Sequence, residues 1–139
     1  MPLAVCVAEV RQKRDVPKTS VLHMRFDAFS FGSVRVEAVS YGYDLVVDRG
    51  TIRKRKKKAS QQFRAEFGHT PLSVEENIPW KCRRLVIGTG AHGALPVMKE
   101  VYREAERRGV KILELPTAEA IEVLNKNSRH TNAILHLTC

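Results

Sequence analysis

The sequence predicts an α/β fold preceded by an antiparallel β-meander, and three observations carry that expectation. From Arg84 onward the chain reads strand, glycine loop, helix, strand, helix, strand. Between Met24 and Gly50, short β-branched segments alternate with turn residues, which is meander patterning. With 139 residues, 43% hydrophobic and 28% charged, the chain is long enough to bury one core and has ordinary globular composition.

Residues 1–23 read as an extended or poorly ordered arm, because Arg11-Gln-Lys-Arg-Asp-Val-Pro-Lys18 holds no lasting periodicity. A single α/β domain over 24–139 follows. Arg25 to Phe31 alternates loosely, and Gly32-Ser33 turns the chain into a second strand. There Val34, Val36 and Ala38 share one face at period two. Tyr41-Gly-Tyr43 turns again, and Asp44 to Asp48 is a short strand closed by Arg49-Gly50. The basic block Arg53 to Lys58 and the stretch Ala59 to Gly68 show no packing stripe and read as a loop or short helix. Ser73-Val-Glu-Glu76 has the spacing of a capping box opening a short helix that Pro79 stops.

Leu85-Val-Ile87 is continuously apolar, as in a strand buried on both faces. Leu95 to Arg108 is amphipathic, with Leu95, Met98, Val101, Tyr102 and Ala105 at helical spacing. Arg107 and Arg108 suit its carbonyl end, and Gly109 suits its stop. Val110 to Leu115 is a second strand, and so short a crossover makes it a parallel neighbour of the first. Thr117 caps a last helix whose core stripe is Ala118, Ile121 and Leu124, and Asn132 to Thr138 is the final strand.

Composition excludes several classes of function. No apolar run approaches the roughly 20 residues that cross a bilayer. Basic residues follow the apolar stretch Leu3 to Ala8 instead of preceding it, against a secretory signal. Cys6, Cys82 and Cys139 have no zinc spacing and fit reduced thiols, so no metal is expected and a cytoplasmic location is. The net charge of +9 is uneven: residues 1–69 carry 14 basic and 7 acidic side chains, residues 70–139 carry 10 and 8. Most of the excess is the block Arg53, Lys54, Arg55, Lys56, Lys57 and Lys58. Such a block can release counterions from nucleic acid or contact a partner. No aromatic is interleaved with it, however, and a solvated loop is the better expectation.

The glycine loop is the sharpest candidate site. Gly88, Gly90 and Gly93 follow an apolar strand and precede a helix, the setting in which backbone amides and a helix dipole hold phosphate. Thr89, His92 and His136 are candidate donors to an anion there. Against a dinucleotide stand the few residues after Leu115, the missing amide of Pro96 and the bulk of His92. A tight structural turn is therefore the expectation, and no cofactor is. His136 and Cys139 lie three apart on a strand and face opposite sides, so no nucleophile–base pair is expected between them.

Val86-Ile-Gly-Thr-Gly90, Arg107-Arg-Gly-Val110, Leu115-Pro-Thr-Ala-Glu-Ala120, Asn125-Lys126 and the closing Ala133 to Cys139, which contains His136-Leu-Thr-Cys139, together carry a resemblance. The chain resembles the adipogenesis-associated Mth nine-three-eight domain family over about residues 25 to 139. The resemblance implies a three-layer α/β/α arrangement with a mixed central sheet and a β-hairpin. It brings no family-wide activity or cofactor. One mitochondrial relative helps assemble respiratory complex I, and a vertebrate relative is linked to fat-cell differentiation. The basic run 53–58 replaces a loop that often carries tryptophan in relatives. The resulting expectation is a non-catalytic interaction or assembly factor with a protein partner or a second copy of itself. The alternative is an anion- or small-molecule-binding enzyme with its site at Gly88 to Gly93.

Overall fold

The computed structural model describes residues 24–139, so the arm expected at 1–23 lies outside the described residues. A small antiparallel sheet comes first, with β1 (Phe26–Ser30), β2 (Ser33–Val36) and β3 (Val39–Tyr41) in that spatial order. The second strand ends earlier than the alternation suggests, because Glu37 and Ala38 take positive φ values of 50° and 69° and reverse the chain. Strand β4 (Leu45–Asp48) then pairs antiparallel with β5 (Thr51–Lys54) across the two-residue turn Arg49-Gly50. The sequence reading closed the strand at that turn and missed its hairpin partner.

Two short helical segments follow, a 3₁₀ turn at Lys58–Phe63 and α1 at Arg64–Phe67. Then come β6 (Arg84–Thr89), α2 (Lys99–Arg108), β7 (Lys111–Leu115), α3 (Thr117–Lys126) and β8 (Thr131–His136). The main sheet is mixed, in the order β5-β4-β8-β6-β7. β6 runs parallel to both β7 and β8, while β4 is antiparallel to β8.

Side-chain alternation divides the core between the two faces of this sheet. Leu45, Val47, Val86, Ala133 and Leu135 point to one side, where they meet Ala120, Ile121 and Leu124 of α3 and Phe26, Val34 and Val36 of the small sheet. Val46, Leu85, Ile87 and Ile134 point to the other side and meet Val101 and Ala105 of α2 with Leu72, Ile78 and Leu95. The result is three layers, α/β/α, with the meander packed beside α3. The Asn125 side chain ties the meander to that helix: its Oδ1 accepts from the Phe26 amide at 2.9 Å and its Nδ2 donates to the Phe26 carbonyl at 2.7 Å.

Two local expectations are corrected. The helix predicted from Leu95 begins at Lys99, because residues 96–98 form an extended bridge instead. The Leu72 amide donates to the Pro96 carbonyl at 2.8 Å and the Met98 amide to the Leu72 carbonyl at 3.0 Å. No helix follows Ser73-Val-Glu-Glu76 either. The Glu76 carboxylate, expected to reach back to a helix start, is taken by the buried Arg55. No helix among the described residues is long and apolar enough to cross a membrane.

Candidate functional site

The glycine loop is a seat for residues 138–139 of the same chain. The Ala91 amide donates to the Thr138 carbonyl at 2.6 Å, and those of His92 and Ala94 donate to the Cys139 main-chain oxygen at 3.0 and 3.1 Å. The Gly90 amide donates to the Thr117 hydroxyl at 2.8 Å, and that hydroxyl donates to the His136 carbonyl at 2.6 Å. Gly93 and Leu95 complete the turn by donating to the Gly90 and Thr89 carbonyls. The amides that a phosphate needs are thus satisfied by protein oxygens. Thr89 is buried, and its hydroxyl donates to the Leu115 carbonyl at 3.1 Å. Thr117, expected to cap its helix, has Pro116 at the cap position and instead links the loop to β8.

Gly88 and Gly90 are required by close approach. A side-chain carbon at Gly88 would sit 2.9 Å from the Thr117 hydroxyl oxygen, and one at Gly90 would sit 2.3 Å from the Cys139 carbonyl carbon. Gly90 also has a φ of +107°.

The two histidines expected near this loop have different surroundings. The exposed His92 ring lies with its centroid 6.3 Å from that of Phe31. His136 instead joins a polar network built from four distant parts of the chain. Its Nδ1 lies 2.8 Å from Asp44 Oδ2, and since a carboxylate oxygen only accepts, Nδ1 donates. Its Nε2 is 3.3 Å from the Thr138 hydroxyl. Asp44 Oδ1 accepts from the Leu137 amide at 2.9 Å, and Arg55 Nη1 donates to Asp44 Oδ2 at 3.0 Å. The rest of the Arg55 fork engages Glu76 bidentately, with Nε and Nη2 each 2.8 Å from a carboxylate oxygen. Ser60 donates to Glu76 Oε2 at 2.6 Å and pairs with Ser73 at 2.6 Å.

Arg55 therefore is no surface cation. Only 4% of the residue is exposed, and it neutralises buried carboxylates. The other members of the basic block also diverge. Arg53 donates to the Asn77 carbonyl at 2.8 Å, Lys54 Nζ stands 5.3 Å from the Tyr43 ring centroid, and Lys57 lines a cavity. Lys56 and Lys58 are exposed. The alternation of β5 accounts for part of this, since Arg53 and Arg55 point to the same side and Lys54 to the other.

Sequence reasoning missed this network because none of its pairings is local. Asp44, Arg55, Glu76 and His136 become neighbours only through β4, the loop after β5 and β8. The order Asp44–His136–Thr138 is that of carboxylate, imidazole and hydroxyl in acyl-transfer enzymes. An oxyanion hole needs free donors, and the nearby loop amides at 91, 92 and 94 already donate to Thr138 and Cys139.

Burial alone would raise the Asp44 carboxyl, but the His136 hydrogen bond and charge, the Leu137 amide and Arg55 outweigh it and hold it below its ordinary value. A depressed folded-state value stabilises the fold while the group is ionised. That contribution is complete above the unfolded-state value of 3.8 and is lost as pH falls through the lower folded value. Glu104, pulled to about 2 by Arg107 and Arg108, is also lowered from its ordinary value, so Glu104→Gln serves as the common background. In urea unfolding, Asp44→Asn is expected to lower stability at neutral pH and to flatten its fall as pH drops below about 4. A variant that loses stability as steeply as its parent would remove Asp44 from this role.

Comparison with known proteins follows the fold. No protein with a curated description matches the sequence. Among solved structures, a conserved hypothetical protein of Pyrococcus horikoshii is similar at 25% identity and a TM-score of 0.69, covering 84% of this chain and all of that one (100%). A protein known as MT938 is 30% identical with a TM-score of 0.62, covering 84% of this chain and 99% of its own. A Mth938-like domain of Bordetella pertussis shares the fold at 16% identity and a TM-score of 0.58, over 91% of this chain and 92% of its own. Residues 26–136 match the family described as "Protein of unknown function (DUF498/DUF598)". With its α/β/α layers, its glycine loop seated on the end of β8 and that match over most of its length, this chain belongs to the DUF498/DUF598 family of Mth938-like domains.

Proposed function

We propose that this protein is a cytoplasmic, non-catalytic interaction factor of the assembly or adaptor kind, binding a protein partner through an aromatic surface beside the glycine loop. The observation that carries this reading is the exposure of Phe31 (59%) and Tyr43 (43%). Phe31 touches His92, and Tyr43 packs edge-on against Tyr41 with ring centroids 6.0 Å apart. The turns bearing them are neighbours, since a side-chain carbon at Gly42 would lie 3.8 Å from the Gly32 carbonyl oxygen. Gly32 is itself fixed by donating to the Leu137 carbonyl at 2.7 Å. Rigid, exposed aromatic side chains are the residues most often found at the centre of protein interfaces. The internal use of the loop amides weighs against the alternative, an enzyme with its site at Gly88 to Gly93.

Phe31→Ser/Tyr43→Ser should leave the fold unchanged by circular dichroism, because neither side chain belongs to the buried core. A partner that co-purifies stoichiometrically with the native chain is expected to lose affinity by tenfold or more. The reading fails if both chains bring down the same partners in the same amounts, or if neither brings down any.

A further inference from the structure

One cavity borders the glycine-loop seat at Ala94 and Cys139 on the side of the segment after β5. It has a volume of about 230 Å³ and opens between the segment after β5 and the end of β8. Lys57, Arg64 and His69, all exposed, line it together with Thr70, His136 and Thr138. No acidic side chain is among the lining residues. Among the described residues, Lys57, Arg64 and His69 make no ion pair or side-chain hydrogen bond. The carboxylates behind His136 cannot serve them, because Asp44 and Glu76 are already engaged by Arg55, His136 and Ser60.

Two exposed permanent cations that border one concavity with no acidic side chain in its lining repel each other and give it a positive potential. An anion entering that space relieves the repulsion and gains charge-assisted hydrogen bonds. The size restricts the guest, since drug-sized ligands fill about 300–1,000 Å³. Donor placement restricts it further. A carboxylate presents two oxygens in one plane, whereas the donors lining this cleft come from separate segments, a guanidinium, an ammonium and an imidazole from 57–69 and the Thr138 hydroxyl from beyond β8. A tetrahedral anion with oxygens in several directions can use both segments at once.

We propose that this cleft is a binding site for a phosphate group, carried either as free phosphate or as the phosphomonoester of a small molecule. The site is formed by side chains and leaves the glycine loop's amides on the chain's own oxygens.

The experiment is calorimetric titration of the intact chain with inorganic phosphate and, separately, with glycerol 3-phosphate, each against sodium chloride at equal ionic strength. Saturable binding beyond the chloride response is expected. Lys57→Ala/Arg64→Ala should weaken it by about a hundredfold, roughly tenfold for each charged donor removed. Lys56→Ala/Lys58→Ala, which removes the same charge from neighbouring positions outside the cavity, should stay within about twofold of the native chain. Tighter binding of the ester assigns the site to a phosphorylated metabolite, and equal or weaker binding assigns it to free phosphate. No saturable binding of either probe, or equal weakening by both double variants, would overturn the proposal. Amide shift mapping of the native chain provides a reading independent of variant folding. Phosphate-dependent shifts confined to 57–70, 94–95 and 136–139 support the site, and shifts spread over the other basic residues refute it.

Discussion

Gly90→Ala is expected to remove about 3–5 kcal/mol of stability, the sum of backbone strain and overpacking. A methyl group there would stand 2.3 Å from the Cys139 carbonyl carbon and 2.7 Å from both the Cys139 and Thr138 oxygens. These are main-chain atoms, so no rotamer change clears the space. At a φ of +107°, alanine would be strained even in open surroundings. The loop can admit the methyl only by lifting from residues 138–139, which breaks the bonds donated by Ala91, His92 and Ala94. Against a typical total of about 5–15 kcal/mol, that loss is severe. Gly93→Ala is the control, because its φ is +67° but its nearest neighbours are 3.6 and 3.7 Å away. It should cost only about 1–2 kcal/mol, the left-handed strain alone. Urea denaturation with a common m-value separates the two. Equal costs at both positions would mean that the seat between the loop and residues 138–139 is loose.

The same pair of glycines shows how far sequence alone reaches. Three glycines between a strand and a helix specify a bend, and the choice between a cofactor loop and a structural turn depends on what occupies the concave side. That occupant, residues 138–139, is almost 50 positions downstream and carries no local signal of where it lies. The continuous apolar run of β6, the buried Val101 and Ala105 of α2 and its stop at Gly109 were legible, because each is a property of neighbouring residues, whereas Tyr102, read into the same stripe, is exposed. The capping-box reading of Ser73 to Glu76 failed for the complementary reason. Its spacing is right, but a buried guanidinium outcompetes a frayed helix start for the same carboxylate. Arg55 itself was hidden in a run of six cations that looks uniform as text. The neglected clue was the turn Arg49-Gly50 followed by Thr51-Ile52. That pattern extends a hairpin into the basic block and imposes strand alternation on its charges. The walls of the phosphate cleft, drawn from a 3₁₀ turn, a four-residue helix and the end of β8, have no periodicity by which they could have been found.

Arg55→Met is expected to cost about 3–5 kcal/mol, comparable to Gly90→Ala but by an electrostatic route. The Arg55 side chain is 1% exposed, and its partners Glu76 and Asp44 are 4% and 10% exposed. Deleting the cation leaves Glu76 buried with only the Ser60 hydroxyl, while Asp44 retains His136 and the Leu137 amide. The penalty is therefore mainly that of the stranded Glu76 charge. If so, removing that charge as well should restore most of the stability. Arg55→Met/Glu76→Met is expected to recover all but about 1–2 kcal/mol, with Ser60 and Ser73 still satisfying each other. A single variant as stable as the native chain would show that water reaches the pair, and a double variant no better than the single would place the energy in the geometry of the fork instead. That geometry has a further consequence for the cleft. Arg55 also donates to the Pro71 carbonyl at 3.2 Å, while its own amide donates to the Asp44 carbonyl at 2.8 Å. One buried cation thus pins both ends of the segment that carries Lys57, Arg64 and His69 over His136. The double methionine variant keeps the apolar volume and the residue-55 amide bond but loses the guanidinium's bonds to Pro71 and Asp44, so it should fold while binding phosphate more weakly than the native chain, with every cleft residue still in place.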